Sequence, residues 1–541
     1  MNKYLTMYGV TVQVEDRGDG KIRLCPQKYS SQLISDIKDL TGAKNEGGYW
    51  SVKDDPRSRF VVDLLGKGAF TGESLRYSDS TWVDIGDAAD GLWDHQQRGV
   101  RFKVKTRRCI DAGEMGIGKT KETFAAINLL RRTLSQGSLW WIAPNSALTS
   151  LRTQVRKWKF TFNSTDKIFN YHSLEERMRS AKEPPQIVVF DESSHLKNSS
   201  ARRTQLAMAL TAEMEKKWGQ DCAVFLLTGT PAPQNPFDWW SQCEIARPGY
   251  LREPNIFKFQ RRLANYGTGE RQDGGSYPVL ESWKSDQLEL LPRRLEGLVL
   301  VRWKKDCLDL PEKVYEVYEC EPDKSILRVA KALLRSVFPA VQLHSKLRQL
   351  SDGFQYGDSG ESTVVRTNKD IRFEELLDEY NAPPYRLVTY AAFTASVDKC
   401  VQTANQNGWS VWRYDGRGQE FRPAKDSIIT KCDETIFQKA GVDENERIIF
   451  IGNPEAAGMG LTLTPSPAVI YYSNSFKSQY RVQSEDRIHR EGASLERGVK
   501  IIDLIHLPSD RLALERLKEK RDVETGTMEE IENVFASMDA G

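Results

Sequence analysis

C109-I-D-A-G-E-M-G-I-G-K-T-K-E-T-F-A-A-I-N-L-L-R-R132 reads as three pieces in succession. A short apolar run, Cys109–Ala112, enters a glycine-rich turn, and a helix-like segment from Lys121 follows. The turn, G113-E-M-G-I-G-K-T120, fits the spacing G-x-x-x-x-G-K-[ST]. Glycines at 113, 116 and 118 let backbone N–H groups turn inward around phosphate oxygens, and the helix behind them points its positive end at the anion. Lys119 then supplies a charge to the β and γ phosphates of a nucleotide, and Thr120 offers its hydroxyl to Mg²⁺. The setting between strand and helix is what separates this match from an incidental lysine beside a glycine turn.

The same alternation recurs on either side. W140-W-I-A143 ends at P144-N-S, I187-V-V-F190 at D191-E-S-S, and A223-V-F-L-L227 at T228-G-T-P. Strand, loop and helix in repetition predict a parallel sheet covered on both faces, with ligands at the carboxyl ends of the strands. A second set, R386-L-V-T-Y390, W409-S-V-W-R-Y414, R447-I-I-F-I-G452, A468-V-I-Y-Y472 and V499-K-I-I-D-L504, predicts a second α/β lobe of similar build. Between them, about 235–385, the text is irregular: G267-T-G-E-R-Q-D-G-G-S276 reads as a loop and 325–351 as helix. The opening residues predict a small α+β unit, with a hairpin around R17-G-D-G20, a helix over S31–L40 and a strand at Y49-W-S-V52.

Composition sets bounds. A chain of 541 residues exceeds one core and suggests about three domains. Hydrophobic content of 39% with 28% charged residues is ordinary for a soluble globular protein. No apolar run has the length of a membrane span, and the N-terminus lacks the pattern of a secretion signal. Eight scattered cysteines without a C-x-x-C pair, and six dispersed histidines, argue against zinc and for reduced thiols in a cytoplasmic setting. Net charge is only +2, but R98-G-V-R-F-K-V-K-T-R-R108 holds six cations and no acid. That run is either a track for a phosphate backbone or a solvated face beside a strand.

I187-V-V-F-D-E192 supplies the acids that nucleotide hydrolysis requires: Asp191 for Mg²⁺ and Glu192 as the base that orients water. Near the C-terminus, R481-V-Q-S-E-D-R-I-H-R-E-G492 places Arg487 and Arg490 three apart, on one face if the stretch is helical. If two lobes close on ATP, these arginines neutralise charge on the γ-phosphate oxygens; otherwise they are a solvated surface.

In order along the chain, L92-W-D-H-Q-Q-R-G-V100, G113–T120, W141-I-A-P-N-S146, D191-E-S-S-H-L-K-N198, L227-T-G-T-P231, V301-R-W-K-K-D306, L310-P-E-K313, E455-A-A-G-M-G-L-T-L-T464 and Q483-S-E-D-R-I-H-R490 resemble the motif series of the Swi/Snf-type ATPases of helicase superfamily two. The resemblance covers about residues 90–510. It implies a double-stranded DNA translocase with two RecA-like parallel-sheet lobes, using ATP and Mg²⁺. Carried over by position, it implies that Gln96 reads the adenine edge and that Thr228 and Thr230 link hydrolysis to DNA contact. Gly460, Thr462 and Thr464 are then placed near DNA phosphates or the nucleotide.

Two positions depart from the family pattern. Gly113 stands where an acid is usual, and Ser194 where a histidine is common, with His195 one step on. The N-terminal unit, with Y49-W-S-V-K53, looks like the HARP (HepA-related) domain of annealing helicases, which implies engagement of branched or fork DNA; a small domain for protein contact is the other reading. The expected division is residues 1–75 for this domain, 76–310 for the first lobe, 311–375 for a helical connector, and 376–541 for the second lobe with a C-terminal helix. The expected function is remodelling or re-annealing of forked DNA, or alternatively the motor subunit of a restriction, defence or transcription-recycling complex. A non-enzymatic nucleotide-gated DNA-binding scaffold is disfavoured by the intact Lys119, Asp191 and Glu192 and by the paired Arg487 and Arg490. The compact length fits a bacterial or phage source.

Overall fold

The computed structural model describes residues 2–54, 83–229, 236–270, 275–356, 362–424 and 446–519, with residues 58, 62 and 437–438; within the longer ranges, positions 8, 17, 39, 41, 337, 458–460, 491 and 494–497 are excepted. The chain divides into two compact units, the change falling between Cys307 and Leu308.

In the first unit the apolar runs form a six-stranded, wholly parallel sheet. Its order is Val299–Arg302, Arg108–Gly113, Ala223–Leu227, Ile187–Asp191, Leu139–Ala143, Lys167–Asn170. The runs are nearly continuous in apolar residues because both faces are covered, and Arg108–Gly113 and Ala223–Leu227 are buried along their whole length. Ile110, Trp140, Phe190, Leu226 and Leu210 meet in the core on one face. Register sets the function-bearing ends level. Leu227 pairs with Asp111 on one side and with Asp191 on the other. The phosphate loop and the D191-E192 corner therefore leave the same edge of the sheet two strands apart, about 10 Å.

The second unit carries a seven-stranded sheet in the order Lys313–Glu319, Val499–Ile505, Ala468–Tyr471, Arg386–Tyr390, Ile448–Gly452, Ser410–Asp415, Gly418–Arg422. All neighbours are parallel except the last pair. Apolar residues fill both faces, Leu387, Val411, Ile449 and Ile502 on one and Val388, Trp412, Phe450 and Ile501 on the other. These are the two α/β lobes that the alternating pattern predicts. The first residues form a five-stranded antiparallel sheet packed on the helix Ser31–Lys38, through Val12, Leu24, Leu33 and Ile37.

Three expectations need correction. Residues 267–276 are not simply a loop: Ala264–Glu270 and Ser276–Trp283 pair as an antiparallel hairpin. Its glycines sit within a strand whose partner is exposed along its length, so no alternation of apolar residues marks it. The nominally irregular middle also contributes an edge strand to each parallel sheet, Val299–Arg302 and Lys313–Glu319. Edge strands bury less, and their mixed composition hides them. Finally, much of the basic run 98–108 lies in the helix Asp94–Thr106, and at least three of its six cations are engaged in ion pairs, two of them buried. Lys103 is fully buried with Asp111 and Glu122, Arg107 pairs with Asp221 at 2.8 Å, and Arg108 pairs with Glu215 at 3.0 Å. Neither a phosphate track nor a solvated face describes Lys103 and Arg108, whereas Arg107 stays partly exposed beside Asp221.

Candidate nucleotide site

The turn between Arg108–Gly113 and the helix Lys119–Arg131 is shaped by glycine for two separate reasons. Gly116 and Gly118 lie at φ 85° and 88°, the left-handed region that side chains disfavour. Gly113 and Gly118 are crowded: a Cβ on Gly113 would overlap Ile117 Cδ1, and one on Gly118 would overlap Gln96 Nε2. Gln96 is thus packed against the loop. Its Nε2 donates to Ile117 O at 3.0 Å, its Oε1 accepts from Trp93 N at 3.3 Å, and His95 Nε2 bonds the same Ile117 carbonyl at 2.9 Å.

Lys119 opens the helix, and its Nζ donates to Gly113 O at 2.6 Å and Glu114 O at 3.0 Å. Both acceptors are neutral carbonyls. Burial lowers the lysine pKa, against the raising influence of Asp111, Glu192 and Asp191. A partly desolvated ammonium ringed by backbone and facing acids only at longer range suits an incoming phosphate. Thr120, next on the helix, is partly exposed.

Asp191 ends its strand with both carboxylate oxygens oriented. Oδ2 accepts from Trp141 Nε1 at 3.3 Å and Oδ1 from Glu192 N at 3.0 Å, while its carbonyl accepts from Tyr171 OH at 2.7 Å. Burial raises its pKa, opposed by the Trp141 bond and by Lys119. A nearby divalent cation would favour the charged form. The hard oxygen donors of Asp191 and Thr120 fit Mg²⁺ better than a softer metal. Glu192 has φ 51° and ψ 52°, a strained position for a side chain with a Cβ. Ser193 and Ser194 are buried behind it, Ser193 Oγ donating to Gln242 Oε1 at 2.8 Å. His195 stacks on Tyr171 with ring centres 6.0 Å apart. Thr228 is buried, and its N–H donates to Asp111 O at 3.0 Å. A Cβ on the following Gly229 would meet Met115 Cγ at 2.6 Å, so this strand end touches the phosphate loop. Thr230 lies outside the described residues.

In the second unit the helix Ser478–Glu485 stops short of both predicted arginines. Arg487 and Arg490 follow in a turn rather than on a helix face. The cause is tertiary. Arg487 O accepts from Leu463 N at 2.9 Å, its Nη1 donates to Leu461 O at 3.4 Å, and Arg490 Nη1 donates to Thr462 Oγ1 at 3.3 Å. These bonds draw the chain toward residues 461–463. Gly492 sits against Thr464, with a Cβ there 3.4 Å from Thr464 Oγ1. The four described residues of the set therefore belong to one corner, and Gly460 lies outside the described residues.

No family model matches the chain. It is 26% identical over 444 residues to the SWI/SNF-related matrix-associated actin-dependent regulator of chromatin subfamily A-like protein 1 homolog of Caenorhabditis elegans, covering 77% of this chain and 59% of that one. It is 23% identical over 489 residues to the nuclear protein STH1/NPS1 of Saccharomyces cerevisiae, covering 80% and 34%. It spans about a third to three fifths of the length of these curated relatives. Among solved structures, the Sulfolobus solfataricus SWI2/SNF2 ATPase core in complex with dsDNA is 19% identical, covering 83% of this chain and 96% of that one at a TM-score of 0.37.

Beneath the glycine-rich loop lies a set of charges that motif reading did not assign. Arg302 donates to Asp111 at 2.8 and 2.9 Å, to Glu122 at 2.6 and 2.7 Å, and to His95 O at 2.8 Å. Lys103 donates to the same two acids. Burial pushes the Asp111 carboxyl up, but Arg302 and Lys103 outweigh it and hold it well below the usual range. Burial dominates at Glu122, which is pushed up to about 7. The quartet locks strand 108–113, helix 119–131, helix 94–106 and strand 299–302 together. One sequence signal pointed to it: Gly99 in mid-helix, where a Cβ would lie 2.5 Å from Glu122 Oε2 and 2.7 Å from Arg302 Nη1. Trp141 and Tyr171, which orient Asp191, had no signal at all.

Proposed function

We propose that this chain is an ATP-dependent double-stranded DNA translocase that remodels or re-anneals branched and forked DNA in the cytoplasm. The observation that carries the reading is Lys119, a desolvated ammonium held by neutral carbonyls. It leaves the same sheet edge as the oriented Asp191 and the strained Glu192. The names of the relatives, a chromatin-regulator homolog and an ATP-dependent helicase of Mycoplasma pneumoniae, favour a DNA-directed motor.

Lys119 binds the β and γ phosphates, the loop N–H groups of 113–118 surround them, and Gln96 reads the adenine edge. Thr120 and Asp191 would hold Mg²⁺, which would supply charge neutralisation to the phosphates. Glu192 orients the attacking water and accepts its proton. Arg487 and Arg490 neutralise charge developing on the γ-phosphate oxygens. Thr228 and Thr230 link that event to DNA contact, with Gly460, Thr462 and Thr464 near phosphates. Residues 1–75, read as a HARP-like domain, select fork structure, and 76–310 and 376–541 form the motor around the connector 311–375.

ATPase rates on single-stranded, duplex and forked DNA test this directly. We expect strong stimulation by duplex and fork; equal rates with and without DNA would exclude a translocase. Removal of residues 1–75 should weaken fork preference more than basal turnover, and an equal loss of both counts against a recognition role.

A further inference from the structure

Glu114, the second residue of the phosphate loop, is bonded in two directions. Its carbonyl oxygen accepts from Lys119 Nζ at 3.0 Å, so it is one of the two groups that hold the ammonium. Its N–H donates to Arg302 O at 2.9 Å, and its Oε2 accepts from the Lys304 N–H at 2.5 Å. One residue thus ties the phosphate-binding lysine to residues 302–304. These lie just ahead of Cys307, where the first unit ends. Arg302 itself is anchored to Asp111 and Glu122 in the buried quartet. The exit segment therefore has a fixed footing at the Arg302 side chain and a second footing at Glu114.

We propose that Glu114 is a positioning residue that transmits nucleotide occupancy of the loop to the segment 303–307 leaving the first unit; this rests on reading residues 113–120 as the ATP phosphate loop. An ammonium has three donor hydrogens, and two are engaged by Gly113 O and Glu114 O. Charged phosphate oxygens form stronger hydrogen bonds than neutral carbonyls, so phosphate draws Lys119 off at least one of them. Release of the Glu114 carbonyl frees its residue to rotate. The carboxylate and N–H of that same residue are the acceptor for Lys304 N and the donor to Arg302 O. Both bonds reset together, and the turn Lys304–Cys307 loses the carboxylate that caps its first N–H. Trp303, 52% exposed, lies in the segment that moves.

The test is hydrogen–deuterium exchange on the full chain, with and without Mg²⁺ and a non-hydrolysable ATP analogue. Occupancy is followed separately with a fluorescent nucleotide. In the wild type, exchange across 303–307 should rise severalfold on binding. Glu114→Ala should exchange fast there in both states and show no response. Glu114→Gln keeps an acceptor oxygen at the same reach and should restore the response. In turnover, Glu114→Ala should lower DNA-stimulated kcat by roughly tenfold with a smaller change in KM for ATP. Unchanged exchange across 303–307 in a wild-type chain saturated with nucleotide overturns the proposal, as does a full response in Glu114→Ala. If Glu114→Ala does not fold, the wild-type comparison and Glu114→Gln still decide. Failure of the wild type to bind any nucleotide overturns the phosphate-loop reading, and this proposal with it.

Discussion

Asp191 accepts the Glu192 N–H on its own carboxylate at 3.0 Å, across a backbone that has turned left-handed at φ 51° by Glu192. The strand end and the sharp corner are adjacent residues with opposed conformations. Such strain persists where the surrounding structure enforces it. Glu192→Gly should therefore raise stability by up to about 1 kcal/mol while turnover falls on the order of a hundredfold or more. Glu192→Gln should lose turnover without the gain in stability. Chemical denaturation and steady-state ATPase check both, and full activity in either variant would remove Glu192 from the water-orienting role.

Lys119→Ala removes a cation whose desolvation no direct carboxylate contact offsets. Nucleotide binding should weaken by about tenfold or more, while thermal stability stays the same or rises slightly. A large fall in melting temperature would show that the lysine is structural.

Arg302→Ala leaves Asp111 and Glu122 buried with Lys103 as their remaining cation. Breaking such a network costs about 3–5 kcal/mol. Gly99→Ala should be destabilising too, because the new methyl meets Glu122 Oε2 at 2.5 Å. Urea unfolding midpoints of both variants measure this; a neutral Gly99→Ala would mean the quartet yields easily.

His344, buried against Ser509 O at 3.2 Å, has its pKa lowered from 6.5 to about 4, chiefly by burial and then by Arg348. The unfolded chain therefore binds more protons between those values, and the stability contributed by neutral His344 is present above 6.5 and lost as pH falls through about 4. The difference amounts to about 3 kcal/mol. Urea titrations at stepped pH should show it, and His344→Gln, which keeps a donor for Ser509 O, should flatten the slope. His506 is lowered in the same direction, so some dependence will remain. An unchanged slope in His344→Gln would assign the acid sensitivity elsewhere.

Arg490→Ala removes a bond to Thr462 Oγ1 at 3.3 Å and one from Nε to Asp486 O at 2.9 Å. Nucleotide affinity should hold within about threefold while turnover falls by roughly a thousandfold. Separate binding and ATPase measurements decide it, and unchanged turnover would point to Arg487 instead.

The chain's local pattern carried the strands ending at Gly113, Asp191 and Leu227, because each is an apolar run buried on both faces and closed by small or polar turn residues. The glycine-rich turn 113–118 was equally legible, since its glycines answer to backbone geometry that follows from the residue type itself. The buried quartet was not. Lys103, Asp111, Glu122 and Arg302 are spread over 200 residues, and whether a charge is solvated or paired depends on what a distant segment brings beside it. The same cause moved Arg487 and Arg490 off their expected helix, where hydrogen bonds to Leu461, Thr462 and Leu463 outweighed a periodicity that only neighbours in sequence can express. Local chemistry travels with the residues; the partners of a charge are settled only when the chain has closed on itself.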